Sequence, residues 1–107
     1  MTQRELQTSV RGVVDQVVEL VHPRRVILFG SAVDGKVKED SDLDFLVVVA
    51  ESKSTEEVTD RLNLGVRNRP MPCDFMVVAQ SVLNKNRSNP GLVYGDILDH
   101  GREVYAA

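Results

Sequence analysis

Three short segments of apolar, largely β-branched residues constrain the fold of this chain more than any other feature of its sequence. They are Val26–Phe29, Asp42–Val49 and Cys73–Ala79. Apolar runs of four to eight residues between turn signals are typical of buried strands, whereas helices are usually longer. The sequence therefore predicts a small mixed β-sheet of three to four strands as the centre of the core.

A helical pattern precedes the first strand. Apolar residues recur at helical spacing up to Val21, and Thr2 with Glu5 forms a capping pair, which predicts a helix over Thr2–Val21. Further elements are predicted from caps and breakers: one helical turn after Ser31, a second helix from Ser54 or Thr55 to Pro70, a short helix from Ser81 to about Ser88, a helix over Leu92–His100 that Gly101 ends in the usual C′ role, and an edge strand over Arg102–Tyr105. The predicted fold class is α/β, of the α+β two-layer type, with helices packed on the sheet.

Composition excludes several other classes of protein. The 107 residues are 42% hydrophobic and 27% charged, which is typical of a globular chain and predicts one domain over residues 1–107. No apolar run approaches the roughly 20 residues that cross a bilayer, and the first residues lack a signal-peptide pattern. A single cysteine, Cys73, cannot form an internal disulfide. We therefore expect a cytoplasmic protein without a membrane partner, and its net charge of −3 gives no strong case for direct nucleic-acid binding.

Acidic residues interrupt two of the predicted strands. Asp42 and Asp44 are two residues apart, so on a strand both carboxylates lie on one face, about 6.6–6.8 Å from each other. That spacing allows both to approach one or two divalent cations. Asp74 interrupts the apolar third strand, where an ionised group is costly unless a cation or a base compensates it. Three carboxylates on neighbouring strands predict a magnesium site.

A glycine and a serine directly follow the first strand. The backbone amides of Gly30 and Ser31 can point outward at the start of the next helical turn, and such a nest is typical of phosphate binding. The segment Gly30–Val37 also falls one residue short of the P-loop pattern. We reject the P-loop because Val37 stands where that pattern needs a hydroxyl, and because a strand rather than a long helix follows.

Each fragment also has a simpler structural interpretation. A lone Asp-x-Asp or Gly-Ser is more often part of a turn, and Asp74 could face water or pair with Arg67 or Arg69. His22 and His100 lie at predicted helix ends, where capping is their expected role. The fragments together, in this order behind a buried strand, favour the functional interpretation.

These residues resemble the signature of a known family. Gly30-Ser31, Gly35 and Ser41-Asp42-Leu43-Asp44 resemble the spaced Gly-Ser and Asp-x-Asp motifs of DNA polymerase beta-type nucleotidyltransferases. Within that superfamily the chain is most similar to minimal nucleotidyltransferase (MNT) domains, in particular to the MntA-like antitoxin group. The resemblance covers nearly the whole chain, from the leading helix through Asp74 to the closing segment Gly101–Tyr105.

The resemblance implies a polymerase beta-like core and a role for each site residue. Asp42 and Asp44 would hold two Mg²⁺ ions, and Asp74 would hold the catalytic ion and assist deprotonation of an acceptor hydroxyl. Gly30 and Ser31 would bind the β- and γ-phosphates of ATP. Asp34 departs from the family pattern, in which many members carry Arg or Lys, and its charge is expected to weaken nucleotide binding.

Three functional hypotheses follow from the resemblance. The first is an enzyme that transfers a nucleoside monophosphate, AMP from ATP, to an acceptor hydroxyl. The second is an antitoxin that binds a helical HEPN-type toxin and neutralises it by contact, whether or not it also transfers AMP. The third is a small-molecule nucleotidyltransferase whose acceptor binds between two copies of the chain. Because the chain is short, most of the acceptor site is expected to come from another chain.

Overall fold

The computed structural model describes residues 2–34 and 41–107. The elements follow in this order: α1 (Gln3–Val21), β1 (Arg25–Phe29), a single 3₁₀ turn (Gly30–Ala32), β2 (Leu43–Val49), α2 (Thr55–Gly65), β3 (Cys73–Ala79), α3 (Gln80–Asn86), α4 (Tyr94–His100) and β4 (Arg102–Ala106). In these two ranges, no helix combines the length and the apolar character that crossing a membrane requires.

The four strands form one mixed sheet in the order β3-β2-β1-β4. β1 is antiparallel to both β2 and β4, whereas β2 and β3 are parallel. The carboxyl end of β1 and the amino ends of β2 and β3 therefore meet at one end of the sheet, which we call the site end. The expected α+β class and the mixed four-stranded sheet are confirmed.

Helices cover both faces of the sheet. α1 and α2 pack on one face, where Leu28, Phe45 and Phe75 are buried. On the opposite face α3 and α4 pack on a smaller apolar cluster that includes Ile27 and Leu46. The two-layer arrangement expected from the sequence thus gains a third, shorter layer. We call this second face the α3/α4 face.

Two predicted N-caps are confirmed. The Thr2 hydroxyl accepts a hydrogen bond from the Glu5 backbone N–H at 3.1 Å, and the Ser54 hydroxyl accepts one from the Glu57 backbone N–H at 3.3 Å. Each side chain satisfies one of the amide groups that a helix start leaves unpaired. These local interactions fix where α1 and α2 begin.

The predicted end of α2 near Pro70 is wrong, because the helix ends at Gly65. Val66 already has extended backbone angles and is buried in the core. Arg69 then folds back, and its guanidinium donates hydrogen bonds to the carbonyls of Leu62, Asn63 and Val66. A side chain therefore satisfies the last carbonyls of α2 where a further helical turn was expected.

Gly101 ends α4 as predicted, but without the left-handed backbone that usually accompanies this role. α4 begins at Tyr94 rather than Leu92, and Gly101 follows it with a φ of −75°, outside the left-handed region. A Cβ at Gly101 would lie 2.4 Å from the Ile97 carbonyl oxygen and 2.8 Å from Cγ2 of Ile27. Close packing between the end of α4 and β1 therefore requires glycine here.

Replacing Gly101 by alanine is expected to lower the free energy of unfolding by about 1–3 kcal/mol, because the methyl group overpacks a rigid backbone contact. Gly12→Ala is the matched control. A Cβ at Gly12, inside α1, meets nothing within 4 Å, so alanine should stabilise the chain by about 0.5–1 kcal/mol. Urea unfolding of both variants tests the pair, and equal effects would contradict it.

Candidate functional site

Two of the predicted acidic residues lie side by side at the site end of the sheet. Asp44 of β2 and Asp74 of β3 are paired in the parallel register, and neighbouring strands are about 4.8 Å apart. Both side chains point to the α3/α4 face, because their strand neighbours Phe45 and Phe75 are buried on the other face. Residues 30 positions apart in the sequence thus share one surface.

Asp42 lies just outside the strand it was predicted to begin, since β2 starts at Leu43. It is exposed, yet its charge still acts on the neighbouring carboxylate. The pKa of Asp44 is raised from its ordinary 3.8, first by burial and then by the negative charges of Asp74 and Asp42. The charges of the other two predicted acids therefore both act on Asp44.

Gly30 places the predicted phosphate-binding nest next to these acids. We call this nest, the backbone amides of Gly30 and Ser31, the phosphate cradle. It ends β1 with a φ of +81° and opens the 3₁₀ turn. A Cβ at this position would lie only 2.4 Å from Oδ2 of Asp44. Ser31 follows in the turn and is exposed. The second glycine of the sequence signature, Gly35, lies outside the described residues, as do Lys36 and Val37 of the segment compared with the P-loop.

The chemistry of these donors fits a divalent cation, because hard carboxylate oxygens are the ligands that Mg²⁺ prefers. Among the described residues, however, no three His, Cys, Asp or Glu side chains form a ready-made metal-binding group. The sheet holds Asp44 and Asp74 in register, whereas Asp42 lies just before β2 and outside the sheet. Side-chain rotation is therefore needed before all three carboxylates can bind one cluster of ions.

Of the two structural alternatives for Asp74, the first is observed, because the residue is exposed to solvent, whereas the second, an ion pair with Arg67 or Arg69, is not. Arg69 caps α2, and its guanidinium also lies 5.4 Å from the centroid of the Phe75 ring. The Arg67 backbone N–H donates to Oε1 of Gln16 at 2.7 Å. In the part of the chain that the structure describes, no Lys or Arg lies within ion-pair distance of Asp74.

The other candidate residues have structural positions. His22 caps the end of α1 with a φ of 47°, and His100 lies in the last turn of α4. Cys73 is half-buried, and burial raises the pKa of its thiol. The sequence assigned none of these residues to catalysis.

A groove beside Gly30 was not predicted from the sequence. It has a volume of about 360 Å³ and lies between the end of β1 and α4. Asp34, Asp96 and His100 line it together with Phe29. The spacing of Asp96 and His100, four residues apart, placed them on one helix face, but only the packing of α4 on β1 brings that face to the phosphate cradle.

A larger groove, of about 520 Å³, lies between α1 and β4. Arg4, Arg11 and Arg102 line it on the face of the sheet that α1 and α2 cover. The acids point to the opposite face, so this larger groove is not part of the candidate site.

Asp44→Asn is expected to raise the free energy of unfolding at pH 7. The folded-state pKa of Asp44 is raised, so its ionised form is unfavourable in the fold and asparagine removes that cost. The gain is at most about 1 kcal/mol, because solvent screens these carboxylates. It should shrink as the pH falls through the raised pKa, since wild-type Asp44 then becomes neutral. Urea unfolding at pH 7 and at about pH 4, with Asp15→Asn as control, measures this gain in the free energy of unfolding. A gain independent of pH would contradict the electrostatic cause.

Comparison with known proteins agrees with this geometry. A family model described as a nucleotidyltransferase domain matches residues 10–103, which include Gly30, Ser31 and the three acids. The fold is similar to the crystal structure of a candidate nucleotidyltransferase from Sulfolobus solfataricus, with a TM-score of 0.58, 20% sequence identity, and coverage of 78% of this chain and 75% of that one. No curated protein sequence matches this chain closely. Because the family model spans most of its length, this chain belongs to the nucleotidyltransferase domain family.

Proposed function

We propose that this chain transfers AMP from ATP to a hydroxyl group on a partner protein, with two Mg²⁺ ions held by Asp42, Asp44 and Asp74. The observation that carries the proposal is the register of β2 and β3, which pairs Asp44 with Asp74 beside Gly30. This register brings a pair of carboxylates and the phosphate cradle together on one surface of the sheet.

Each residue has a distinct task in this chemistry. When bound, the two ions lower the pKa of the attacking hydroxyl and neutralise the departing pyrophosphate. Asp42 and Asp44 would hold the two ions, and Asp74 would hold the catalytic ion and assist deprotonation of the acceptor hydroxyl. The sheet keeps Asp44 and Asp74 in register. Because both side chains point to the α3/α4 face, the acceptor hydroxyl must reach them on that face.

The backbone around Gly30 supports phosphate binding. Its positive φ turns the chain sharply out of β1, so that the amides of Gly30 and Ser31 are free to face the β- and γ-phosphates. A side chain at Gly30 would fill the space next to Asp44. Only glycine thus allows a triphosphate to approach both the amides and the acids.

The partner is proposed from the resemblance to MNT antitoxins, which favours a helical HEPN-type toxin. A small-molecule acceptor is less well supported. Phe29 is the one Phe, Tyr or Trp side chain among the residues that line the groove beside Gly30, whereas binding pockets for drug-sized molecules are usually lined by several such side chains.

Incubation of the chain with α-labelled ATP, Mg²⁺ and its co-purified partner tests the proposal. We expect label on the partner and a mass increase of one or more AMP units, with no transfer by Asp44→Asn. If Asp44→Asn still neutralises the partner, contact alone is sufficient for the antitoxin effect. Absence of transfer to any acceptor by folded wild-type protein would refute the enzymatic proposal.

Asp34→Arg is expected to tighten ATP binding several-fold at low salt. Asp34 is exposed and lines the groove next to Gly30, so near a triphosphate its carboxylate repels like charge by about 1 kcal/mol. Arginine replaces that repulsion with attraction, and the gain should decrease as salt screens the pair. Calorimetric titration of ATP at two salt concentrations measures the change, and an unchanged affinity at low salt would place Asp34 away from the phosphates.

A further inference from the structure

We propose that the acceptor reaches the site as an extended polypeptide segment that adds as a fifth strand to the outer edge of β3. The docking surface is the edge of β3 together with its groove against α2. The role of the segment as acceptor rests on the proposed transfer function, whereas its docking rests on the open edge of β3 and the charges of α2.

β3 presents an edge suited to strand addition. Within the described residues it is a terminal strand of the sheet, and its pairing with β2 runs unbroken over Cys73–Ala79. By contrast, the pairing of the opposite edge strand, β4, contains a register shift. Regular, uncharged strand edges are the ones that pair with other chains, and β3 carries a single charged residue, Asp74.

The hydrogen-bond pattern shows which groups of β3 face outward. The Leu43 backbone N–H donates to the Pro72 carbonyl at 2.9 Å. In a parallel pair, every second residue directs both its N–H and its C=O toward the neighbouring strand. Counting from the bonded Pro72, these residues of β3 are Asp74 and Met76, whose backbone groups point toward β2. The N–H and C=O groups of Phe75 and Val77 therefore point away from the sheet, where an added strand can pair with them.

On the α3/α4 face, such a strand places a side chain directly beside the acids. An added strand lies about 4.8 Å from β3, and the residue opposite Asp74 projects from the same face. A hydroxyl at that position lies within reach of the Asp74 carboxylate. Met76, which is 38% exposed on this face, would be covered by the neighbouring apolar residue of the segment.

On the other face, the edge of β3 borders an acidic groove. The groove has a volume of about 370 Å³ and is formed by Val77 together with Thr55, Glu56, Thr59 and Asp60 of α2. Glu56 and Asp60 are exposed there, so a Lys or Arg is the complementary side chain. Asp74 and Val77 are three residues apart and face opposite sides of the sheet. The segment should therefore carry a hydroxyl residue and a basic residue three positions apart.

A second copy of this chain fits the same edge less well. Antiparallel pairing of two β3 strands would bring the α2 helices of the two copies next to each other. Glu56 and Asp60 would then approach their own counterparts, and like charges across an interface oppose association. Charge complementarity thus favours a partner with basic residues.

Selection from a displayed library of random ten-residue peptides on the full chain tests the inference. We expect enriched peptides to alternate apolar residues and to carry Lys or Arg three positions from Ser, Thr or Tyr. The doubly substituted Glu56→Lys, Asp60→Lys chain should bind them at least tenfold more weakly, and Val77→Pro should abolish binding by removing an outward N–H. Glu57→Lys is the matched control, because Glu57 is also exposed in the first turn of α2 but lines a different groove.

The outcomes separate this inference from the proposed function. Absence of enrichment, binding unaffected by both sets of substitutions, or a stable dimer in sedimentation that Val77→Pro dissociates would overturn the inference. Peptides that bind but receive no AMP, from a chain that labels its partner elsewhere, would overturn it and leave the proposed function intact. If no acceptor is labelled while peptide binding follows the expected pattern, the docking edge is supported and the transfer proposal fails.

Discussion

Replacing Asp44 by asparagine is expected to reduce nucleotidyl transfer by about three orders of magnitude or more. Asparagine keeps the shape of the side chain but removes the negative charge that would hold the cations, and those cations supply several kcal/mol of transition-state stabilisation. Asp42→Asn and Asp74→Asn should cause losses of similar kind. Transfer of labelled AMP under single-turnover conditions measures the effect.

The stability of the same variant makes this result interpretable. Burial and the negative charges of Asp74 and Asp42 disfavour the ionised form of Asp44 in the fold. Asp44→Asn should therefore be inactive and yet at least as stable as the wild type. Misfolding would lower both properties together. The control, Asp15→Asn, removes an exposed acid of α1 and should retain full transfer. Activity of Asp44→Asn within tenfold of the wild type would contradict the assignment of Asp44 as a metal ligand.

Replacing Gly30 by alanine is expected to reduce transfer at least a hundredfold. The new methyl group would overlap with Oδ2 of Asp44, only 2.4 Å from the Cβ position, at a residue whose φ is +81°. Displacement of a reacting group by about 1 Å is enough for a loss of this size. The left-handed backbone should also cost about 1–2 kcal/mol of stability. Initial rates of transfer and urea unfolding measure the two effects.

A double variant identifies the physical cause. In an Asp44→Ala background the carboxylate is gone, so Gly30→Ala should lose less stability than it does in the wild type. The remaining loss then reflects the backbone angle alone. Gly91→Ala is the control, because the nearest atom to its Cβ would be 3.3 Å away and its φ is not positive. Equal costs of Gly30→Ala in both backgrounds would exclude the contact with Asp44 as a cause.

Local sequence chemistry predicted much of the fold. β3 has the predicted bounds, and Thr2 and Ser54 cap the helices they were expected to cap. These features depend on residues within one helical turn or one strand. The end of α2 could not be predicted in the same way, because Arg69 reaches it from beyond the helix.

The start of α3 shows the same limit. Its first turn is capped by Glu51, whose carboxylate accepts a hydrogen bond from the Ser81 backbone N–H at 2.6 Å. Hydrogen bonds from its own backbone and from Ser81 lower the pKa of Glu51. The two residues are 30 positions apart, so no local pattern connects them.

The sequence by itself determined which residues are candidates for the chemistry: an acid interrupts each of two apolar strands, and glycine with serine follows a third. These positions stand out because a charge in an apolar strand is unfavourable unless water, a cation or a base compensates it, and because glycine lets the backbone approach a ligand closely. Only the tertiary structure decided that Asp44 stands beside Asp74, that Gly30 contacts Asp44, and that no strand of residues 2–34 and 41–107 pairs with the outer edge of β3. Those relations depend on strand order and register, which arise from packing between segments far apart in the chain.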